Sequence, residues 1–132
     1  MKLQEIQVRT GERYQFVSIT DRVEEAIRDL GVRDGFCLIT STHTTAAVTV
    51  NEDYDPDVGH DLTEACRALV PRIDFQHGEG NSDSHLLVSL IGQSEHLIIS
   101  GGLPQLGRWQ GVFLAEFDGP RTRTVKVAVF EG

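Results

Sequence analysis

A polar stretch at residues 77–85 constrains this chain most, because it interrupts a sequence that is otherwise patterned with apolar residues. It reads HGEGNSDSH, which is two histidines, an asparagine, two carboxylates and two serines with no apolar side chain among them. Such a segment cannot build a hydrophobic core. Binding and catalytic residues are concentrated in polar loops that rigid elements hold in place. We therefore expect this stretch to form part of a functional site.

The composition limits the size and the class of the protein. A length of 132 residues is that of one domain, and we expect a single domain over residues 1–132. The net charge of −8 argues against binding to nucleic acid or to an anionic membrane. No apolar run reaches the roughly 20 residues that cross a bilayer, and no signal-peptide core is present. The sequence thus predicts a soluble, cytoplasmic protein whose two cysteines are buried free thiols.

Alternating apolar patterns predict strands at both ends of the chain. Residues 3–10 and 13–19 alternate around a Gly-Glu pair, which predicts a β-hairpin. Residues 112–117 and 124–130 flank a turn and predict a second hairpin. The remaining predicted strands are short apolar or β-branched runs at 36–39, 46–50, 86–91 and 97–100.

Two segments carry the pattern of a helix. Apolar residues recur at i, i+3, i+4 and i+7 between a cap at Thr20 or Asp21 and a glycine at position 31. Asp55-Pro56 predicts the start of a second helix, which ends before Pro71. Since strands dominate, we expect an α+β fold: a β-sandwich of largely antiparallel strands with two helices packed outside.

Three of the five histidines lie in polar segments next to predicted strands, namely His43, His77 and His85. For any one of them alone, a structural hydrogen bond is the better interpretation. Neutral imidazole is also the commonest metal ligand, and carboxylates complete such sites, so a metal site stays open. The spacing of His77 and His85 matches no fixed metal motif such as H-E-x-x-H.

Two carboxylates and two arginines surround the last predicted turn. Glu116 and Asp118 end an apolar strand, and a buried Glu116 needs a partner. Arg121 and Arg123 are two residues apart, so on a strand both face the same side. Paired guanidiniums there suit phosphate or carboxylate groups. An ion pair across the hairpin, with Glu116 or Asp118, is an equally good interpretation.

Trp109 is the single tryptophan and lies in a loop flanked by glycines. Such a position suits a stacking wall for a flat ligand or a residue at an interface. A hydrophobic plug over the end of the sandwich is an equally good interpretation.

Three long blocks resemble the signature blocks of the YjbQ family, also called UPF0047. They read STHTTAAVTVNEDYDPDV, HGEGNSDSH followed by LLVSLIG, and GGLPQLGRWQGVFLAEFDGPRTR. The blocks occur in the family's order and spacing and cover nearly the whole chain, which makes the resemblance highly specific. It implies a YjbQ-like β-sandwich, assembled as a homotrimer with polar pockets near the subunit interfaces.

The resemblance also implies an activity. The family is described as a weak or secondary thiamine-phosphate synthase, which couples a pyrimidine diphosphate to a thiazole phosphate and releases pyrophosphate. The expected substrates are small phosphorylated heterocycles, a divalent Mg²⁺ or Zn²⁺ ion is the expected cofactor, and no organic cofactor is implied. The alternatives are a non-catalytic trimeric protein that binds a metal or small ligand, and a metal-dependent hydrolase of an anionic substrate.

Carried over by matching position, the family's polar residues supply the predicted site. The catalytic candidates are His43, Asn81, His85 and Glu116. The predicted substrate-binding residues are Thr44, Thr45, Trp109, Gln110, Asp118, Arg121 and Arg123. The predicted metal ligands are His43, His77, His85, Glu52 and Asp57. We expect these residues to form one composite pocket, whose third wall, the segment from Trp109 to Arg123, is contributed by the same or a neighbouring subunit.

One local departure from the family's pattern lies within the polar stretch. Ser82 and Ser84 stand where alanine is more usual, beside Asp83 and His85. They add hydroxyls to the predicted site and remove no candidate ligand.

Overall fold

The computed structural model describes all 132 residues and contains eight strands and three helices. The strands are β1 (Lys2–Arg9), β2 (Gln15–Ser18), β3 (Gly35–Ser41), β4 (Ala46–Glu52), β5 (Ser94–Ser100), β6 (Leu103–Pro104), β7 (Gln110–Glu116) and β8 (Thr122–Glu131). The helices are α1 (Thr20–Leu30), α2 (Pro56–Leu69) and α3 (Ser82–Ile91). None of the helices has the length and apolar character needed to span a membrane.

The strands form two sheets in which every neighbouring pair is antiparallel. The large sheet has the order β1-β8-β3-β5-β6, and the small sheet has the order β2-β7-β4. The predicted α+β class with largely antiparallel strands is therefore confirmed. Both predicted hairpins are wrong, because β1 pairs with β8 and β2 pairs with β7. The chain changes sheet between β1 and β2 and again between β7 and β8.

The β1–β2 and β7–β8 connections cross one another. The Thr10 N–H donates to the Arg121 carbonyl at 2.9 Å, and the Gly119 N–H donates to the Arg13 carbonyl at 3.1 Å. Only glycine fits at position 119, because a Cβ atom there would lie 2.3 Å from the Glu12 carbonyl oxygen. An alternating pattern identifies a strand but not its partner, which is why the hairpin predictions failed.

The two faces of the small sheet contribute side chains to two different hydrophobic cores. Val48 and Leu114 face the large sheet in a cluster of 17 buried residues, to which α1 contributes Ile27. Ala47 and Ala115, the next residues along the same strands, belong to a second cluster of 7 buried residues shared with α2 and α3. Successive residues of a strand point to opposite faces, so the small sheet is the middle layer of the molecule. The apolar face of α1 packs onto the core between the sheets, and its opposite face is exposed.

Both predicted helices are confirmed, and their ends follow ordinary capping chemistry. The Asp55 carboxylate caps α2 by accepting from the Asp57 N–H at 2.9 Å. Gly31 ends α1 in the left-handed region with a φ of 76°. The cap predicted at Thr20 or Asp21 is wrong, because α1 begins after Ile19 without a side-chain cap.

Residues 86–91 belong to α3 and do not form the predicted strand. The helix buries Ser84, Leu87 and Val88, which share one face at helical spacing. A short, continuous apolar run does not distinguish a buried strand from a buried helix, which explains the error. The polar stretch at 77–85 is therefore a loop that ends in the first turn of α3.

Candidate functional site

A buried ion pair joins the end of β7 to the start of β8. The side chains of Arg123 and Glu116 are 2% and 0% exposed. Arg123 donates through Nε to Glu116 at 2.8 Å and through Nη2 to the Thr45 hydroxyl at 2.8 Å. Glu116 also accepts from the Thr10 hydroxyl at 2.8 Å and from the Asp118 N–H at 3.1 Å. Both charges are satisfied within the protein.

The surroundings keep Glu116 ionised. Burial alone raises its pKa, but the hydrogen bonds from Arg123 and Thr10 outweigh burial and hold the pKa below the usual range. A carboxylate that is held ionised and fully hydrogen-bonded is a poor general acid or base. Of the two interpretations that the sequence left open, the structure supports the ion pair between Glu116 and Arg123.

A second ion pair lies at the turn between the same two strands. Arg121 Nη2 is 3.2 Å from Asp118 Oδ2, and the two side chains are 51% and 20% exposed. Arg121 precedes β8, which begins at Thr122, so it does not share a strand face with Arg123 as predicted. The Asn81 amide donates to the same Asp118 oxygen at 2.9 Å. The turn is thereby connected to the start of α3.

Asn81 occupies the N-cap position of α3 but does not use its side chain as a cap. Because its Nδ2 donates to Asp118, its oxygen and nitrogen are unambiguously assigned, and Oδ1 has no partner within the protein. His85 follows four residues later on the same face of the helix. The first turn is anchored by the Ser84 hydroxyl, which donates to the Phe117 carbonyl at 2.5 Å. The helix start therefore fixes the positions of both predicted catalytic residues, Asn81 and His85.

His43 and His85 line one open cavity of about 420 Å³, which we term the His43–His85 cavity. The other residues that line it are almost all polar: Ser41, Thr42, Thr44, Val88, Ser89 and Gln93. A volume of this size is typical of small-molecule sites. The many hydroxyl and amide groups suit a polar ligand that forms several hydrogen bonds.

His43 has a defined hydrogen-bonding state. The Thr124 N–H donates to His43 Nε2 at 2.9 Å, so Nε2 carries no proton and Nδ1–H is the donor. Burial lowers the pKa of His43, the charges of Arg123 and Arg121 lower it further, and Glu116 opposes them only in part. His43 is therefore a neutral hydrogen-bond donor that lies within the field of Arg121.

The predicted metal ligands do not form one group in this chain. No cluster of three or more His, Cys, Asp or Glu side chains is placed to hold a metal ion. His43 Nε2 already faces a backbone N–H, and Glu52 lines a different cavity. The rings of His77 and His85 lie edge to face with 5.4 Å between centroids. These residues do not fit a divalent ion without further ligands, and the metal stays a prediction.

Four predicted site residues lie elsewhere on the chain: Glu52, Asp57, Trp109 and Gln110. Glu116 pairs with Ala46 at one end of the β4–β7 ladder, whereas Glu52 pairs with Gln110 at the other end. Six residues of strand separate the two ends by about 20 Å. Asp57 lies in the first turn of α2, and Trp109, 45% exposed, packs edge to face on Tyr54. Within one chain, these four residues do not reach the His43–His85 cavity.

The sequence analysis missed the residues that hold the first turn of α3 from its other side. The Tyr14 hydroxyl donates to the Asp83 carboxylate, and Arg13 Nη2 donates to the same carboxylate at 2.9 Å. Burial alone raises the pKa of Asp83, but these two partners hold it below its usual range. A tyrosine in a buried position signals that its hydroxyl needs a partner, yet the sequence does not identify that partner.

Comparison with known proteins identifies the family. The family model described as UPF0047 protein YjbQ-like matches residues 4–132. The chain belongs to the UPF0047 family. A UPF0047 protein of Methanocaldococcus jannaschii is 46% identical over 124 residues, which cover 93% of this chain and 90% of the relative. UPF0047 protein YugU of Bacillus subtilis is 41% identical, with 92% and 94% covered.

Solved structures of the UPF0047 family share the fold. An uncharacterised YjbQ/UPF0047 protein from Clostridium acetobutylicum superposes with a TM-score of 0.92 at 41% identity, covering 96% of this chain and 99% of its own. A YbjQ-like protein of unknown function from Sulfolobus solfataricus gives a TM-score of 0.93 at 30% identity, covering 99% and 97%. The predicted family and the α+β fold are both confirmed.

Proposed function

We propose that the protein is a transferase of the thiamine-phosphate synthase type, which binds a small phosphorylated heterocycle in the His43–His85 cavity. The observation that carries the proposal is that this polar cavity contains two imidazoles, one of which, His43, lies within the field of Arg121. Membership of the UPF0047 family supports the reaction, through the activity that the resemblance implies. The reaction would couple a pyrimidine diphosphate to a thiazole phosphate and release pyrophosphate.

The chain's own residues supply three functions for this reaction. The neutral His43 Nδ1–H is a donor for a ring nitrogen or a phosphate oxygen. Negative charge develops on pyrophosphate as its bond to the pyrimidine unit breaks, and the half-exposed Arg121 is a cation that stabilises it. The ring of His85 makes no hydrogen bond to another protein group and is free to bind the substrate.

The second candidate function is non-catalytic binding of a small ligand. It is favoured by the state of Glu116, whose carboxylate is committed to Arg123 and Thr10 and is not free for proton transfer. In this alternative, the His43–His85 cavity binds the same phosphorylated heterocycles without joining them.

A turnover assay separates the two candidate functions. The protein is incubated with the pyrimidine diphosphate and the thiazole phosphate, and pyrophosphate and the coupled product are quantified together. His85→Ala is expected to reduce product formation at least about tenfold, a loss of roughly 1.4 kcal/mol of transition-state stabilisation. The matched control is His60→Ala, since His60 is exposed on α2 and does not line the cavity. Binding of both substrates by the parent protein without product would favour the binding function instead.

We also propose that the chain self-associates as a homotrimer. The outer face of the large sheet supports this, because Leu3, Phe36 and Ile98 are 46%, 48% and 67% exposed. The ring of Phe36 stacks on that of Phe130 with 4.6 Å between centroids. An apolar surface of this kind marks an interface in soluble proteins. Light scattering is expected to give the mass of a trimer for the parent protein and of a monomer for Ile98→Asp, whereas a monomeric parent would contradict the proposal.

A further inference from the structure

A second open cavity, of about 480 Å³, lies on the other side of the first turn of α3. We term it the Arg13–Arg67 cavity. Its walls come from the segment before β2, from the end of α2 and from the residues that lead into α3, including Phe75 and Ser82. Among the predicted site residues only His77 lines it, and the ring of His77 packs on that of His85 between the two cavities.

Two guanidinium groups in this cavity lie close to one tyrosine ring. Arg13 Cζ is 5.6 Å and Arg67 Cζ is 4.9 Å from the centroid of the Tyr14 ring. Both side chains line the same cavity, so its wall carries two cationic groups. The carboxylate nearest to Arg67 is Glu64 at 3.5 Å, which is 58% exposed, and an exposed pair of this kind contributes little. The cavity therefore favours an anion that compensates the charge of Arg67, since Arg13 is already paired with Asp83 at 2.9 Å.

The one carboxylate that lines the cavity is already used. Asp83 accepts from the Tyr14 hydroxyl and from Arg13. Arg13 makes its contacts with Asp83 and with the Gly80 carbonyl through Nη2 alone, so Nε and Nη1 keep their hydrogens for another acceptor. Unused donors on Arg13 and Arg67 thus remain after the internal pairing is complete.

The other residues that line the cavity indicate the chemistry of the rest of the ligand. Ser82 places a hydroxyl at the N-terminal turn of α3, where the helix dipole favours negative charge. Phe75, 40% exposed, and Val70 form an apolar wall on the side of α2. The cavity therefore combines an anion-binding end with an apolar surface.

We infer that the Arg13–Arg67 cavity binds a small organic phosphate monoester, with the phosphate between the two guanidiniums and its apolar body against Phe75. A phosphate presents enough oxygens to accept from both arginines and from the Ser82 hydroxyl at once, and guanidinium donors match its geometry. This site lies across α3 from the His43–His85 cavity, and the inference does not depend on the proposed synthase activity.

Isothermal titration calorimetry with phenyl phosphate tests the inference on the full chain. Arg67→Gln is expected to weaken binding at least about tenfold, because one of the two cations is lost. Arg22→Gln is the matched control, since Arg22 is exposed on α1 and lines neither cavity. Equal affinity of the Arg67→Gln and Arg22→Gln variants, or no heat of binding with the parent protein at millimolar phenyl phosphate, would overturn the inference.

Three further measurements define the ligand class and the site. Inorganic phosphate is expected to bind more weakly than phenyl phosphate, since it has no body to contact Phe75, and Arg67→Lys is expected to recover only part of the affinity. Benzoate that binds as tightly as phenyl phosphate would overturn the assignment to a phosphate. Synthase turnover of the parent protein is measured in a separate assay. A parent protein that binds phenyl phosphate without turnover, or one that turns over without binding phenyl phosphate, therefore distinguishes a failure of one proposal from a failure of the other.

Discussion

Two ion pairs at the β7–β8 connection have the same chemistry and opposite environments. Glu116 and Arg123 are 0% and 2% exposed, and they make four further hydrogen bonds to other groups of the protein. Asp118 and Arg121 are 20% and 51% exposed, and Asp118 also binds Asn81 at the start of α3. Burial makes the inner pair part of the core, whereas the outer pair keeps donors free for a ligand. Both pairs consist of an arginine and a carboxylate, so residue type alone does not decide which pair is functional.

The comparison also shows how stability and function are divided. Breaking a buried pair leaves an uncompensated charge in the core and is strongly destabilising, whereas exposed pairs contribute little to stability. The inner pair should therefore control folding and the outer pair should control ligand chemistry. The loss of stability should therefore be large for changes to the inner pair and small for changes to the outer pair.

Removal of the inner carboxylate should have the largest effect. Glu116→Ala leaves the guanidinium of Arg123 buried without its counter-ion, and the free energy of unfolding is expected to fall by about 3–5 kcal/mol. Urea denaturation followed by circular dichroism measures the loss. Arg121→Ala is the matched control, because the side chain of Arg121 is 51% exposed, and it is expected to lose less than about 1 kcal/mol. Equal losses for the two variants would contradict the division between the pairs.

Acidification should destabilise the protein in two stages. The folded pKa of His43 lies below the ordinary value of 6.5, so the unfolded state takes up the proton first and stability begins to fall below that pH. The folded pKa of Glu116 lies below 4.5, so its contribution is present above that pH and is lost as the pH falls through the folded pKa.

Unfolding free energies between about pH 3 and pH 7 in urea measure both stages. Glu116→Gln is expected to reduce the fall in stability below pH 4.5, because its side chain does not titrate, and to leave the share that Asp83 contributes. If the free energy of unfolding of this variant falls with pH as steeply as that of the parent protein, a group other than Glu116 causes the loss of stability in acid.

Loss of one partner of the inner pair should have an intermediate effect. Thr45→Val removes the hydroxyl that accepts from Arg123 Nη2 at 2.8 Å but preserves the size of the side chain. We expect a loss of about 1–3 kcal/mol, the typical penalty for an unsatisfied buried donor. Thr44→Val is the matched control at the next position, where the side chain is exposed. Equal thermal stability of the two variants would contradict the role assigned to Thr45.

The sequence predicted much of the fold where the pattern and the capping chemistry agree. Asp55-Pro56 and Gly31 identified the start of α2 and the end of α1, because caps are local signals. The apolar run from Leu86 to Ile91 did not distinguish a helix from a strand, since its burial depends on the second core. The strand partners of β1 and β7 depend on the crossing at Gly119, which involves residues more than 100 positions apart in sequence and leaves no local pattern.

The candidate site was predicted in part. His43, Asn81, His85, Asp118 and Arg121 lie around one end of the β4–β7 pair, as the predicted grouping requires. The sequence did not show that Trp109 and Gln110 lie far from these residues. They are at the start of β7, whereas the predicted site lies at the other end of the same strand. Nor did the sequence indicate Arg67, whose position near Tyr14 depends on the packing of α2 onto the small sheet.

The most direct measurement pairs the stability and the turnover of one variant, Arg121→Gln. We predict that its free energy of unfolding stays within about 1 kcal/mol of that of the parent protein, because the outer pair is exposed. Pyrophosphate release from the two phosphorylated heterocycles is predicted to fall at least about tenfold, because the cation that acts on His43 is lost. A variant that releases pyrophosphate at the parental rate, or that unfolds as readily as Glu116→Ala, would contradict the account.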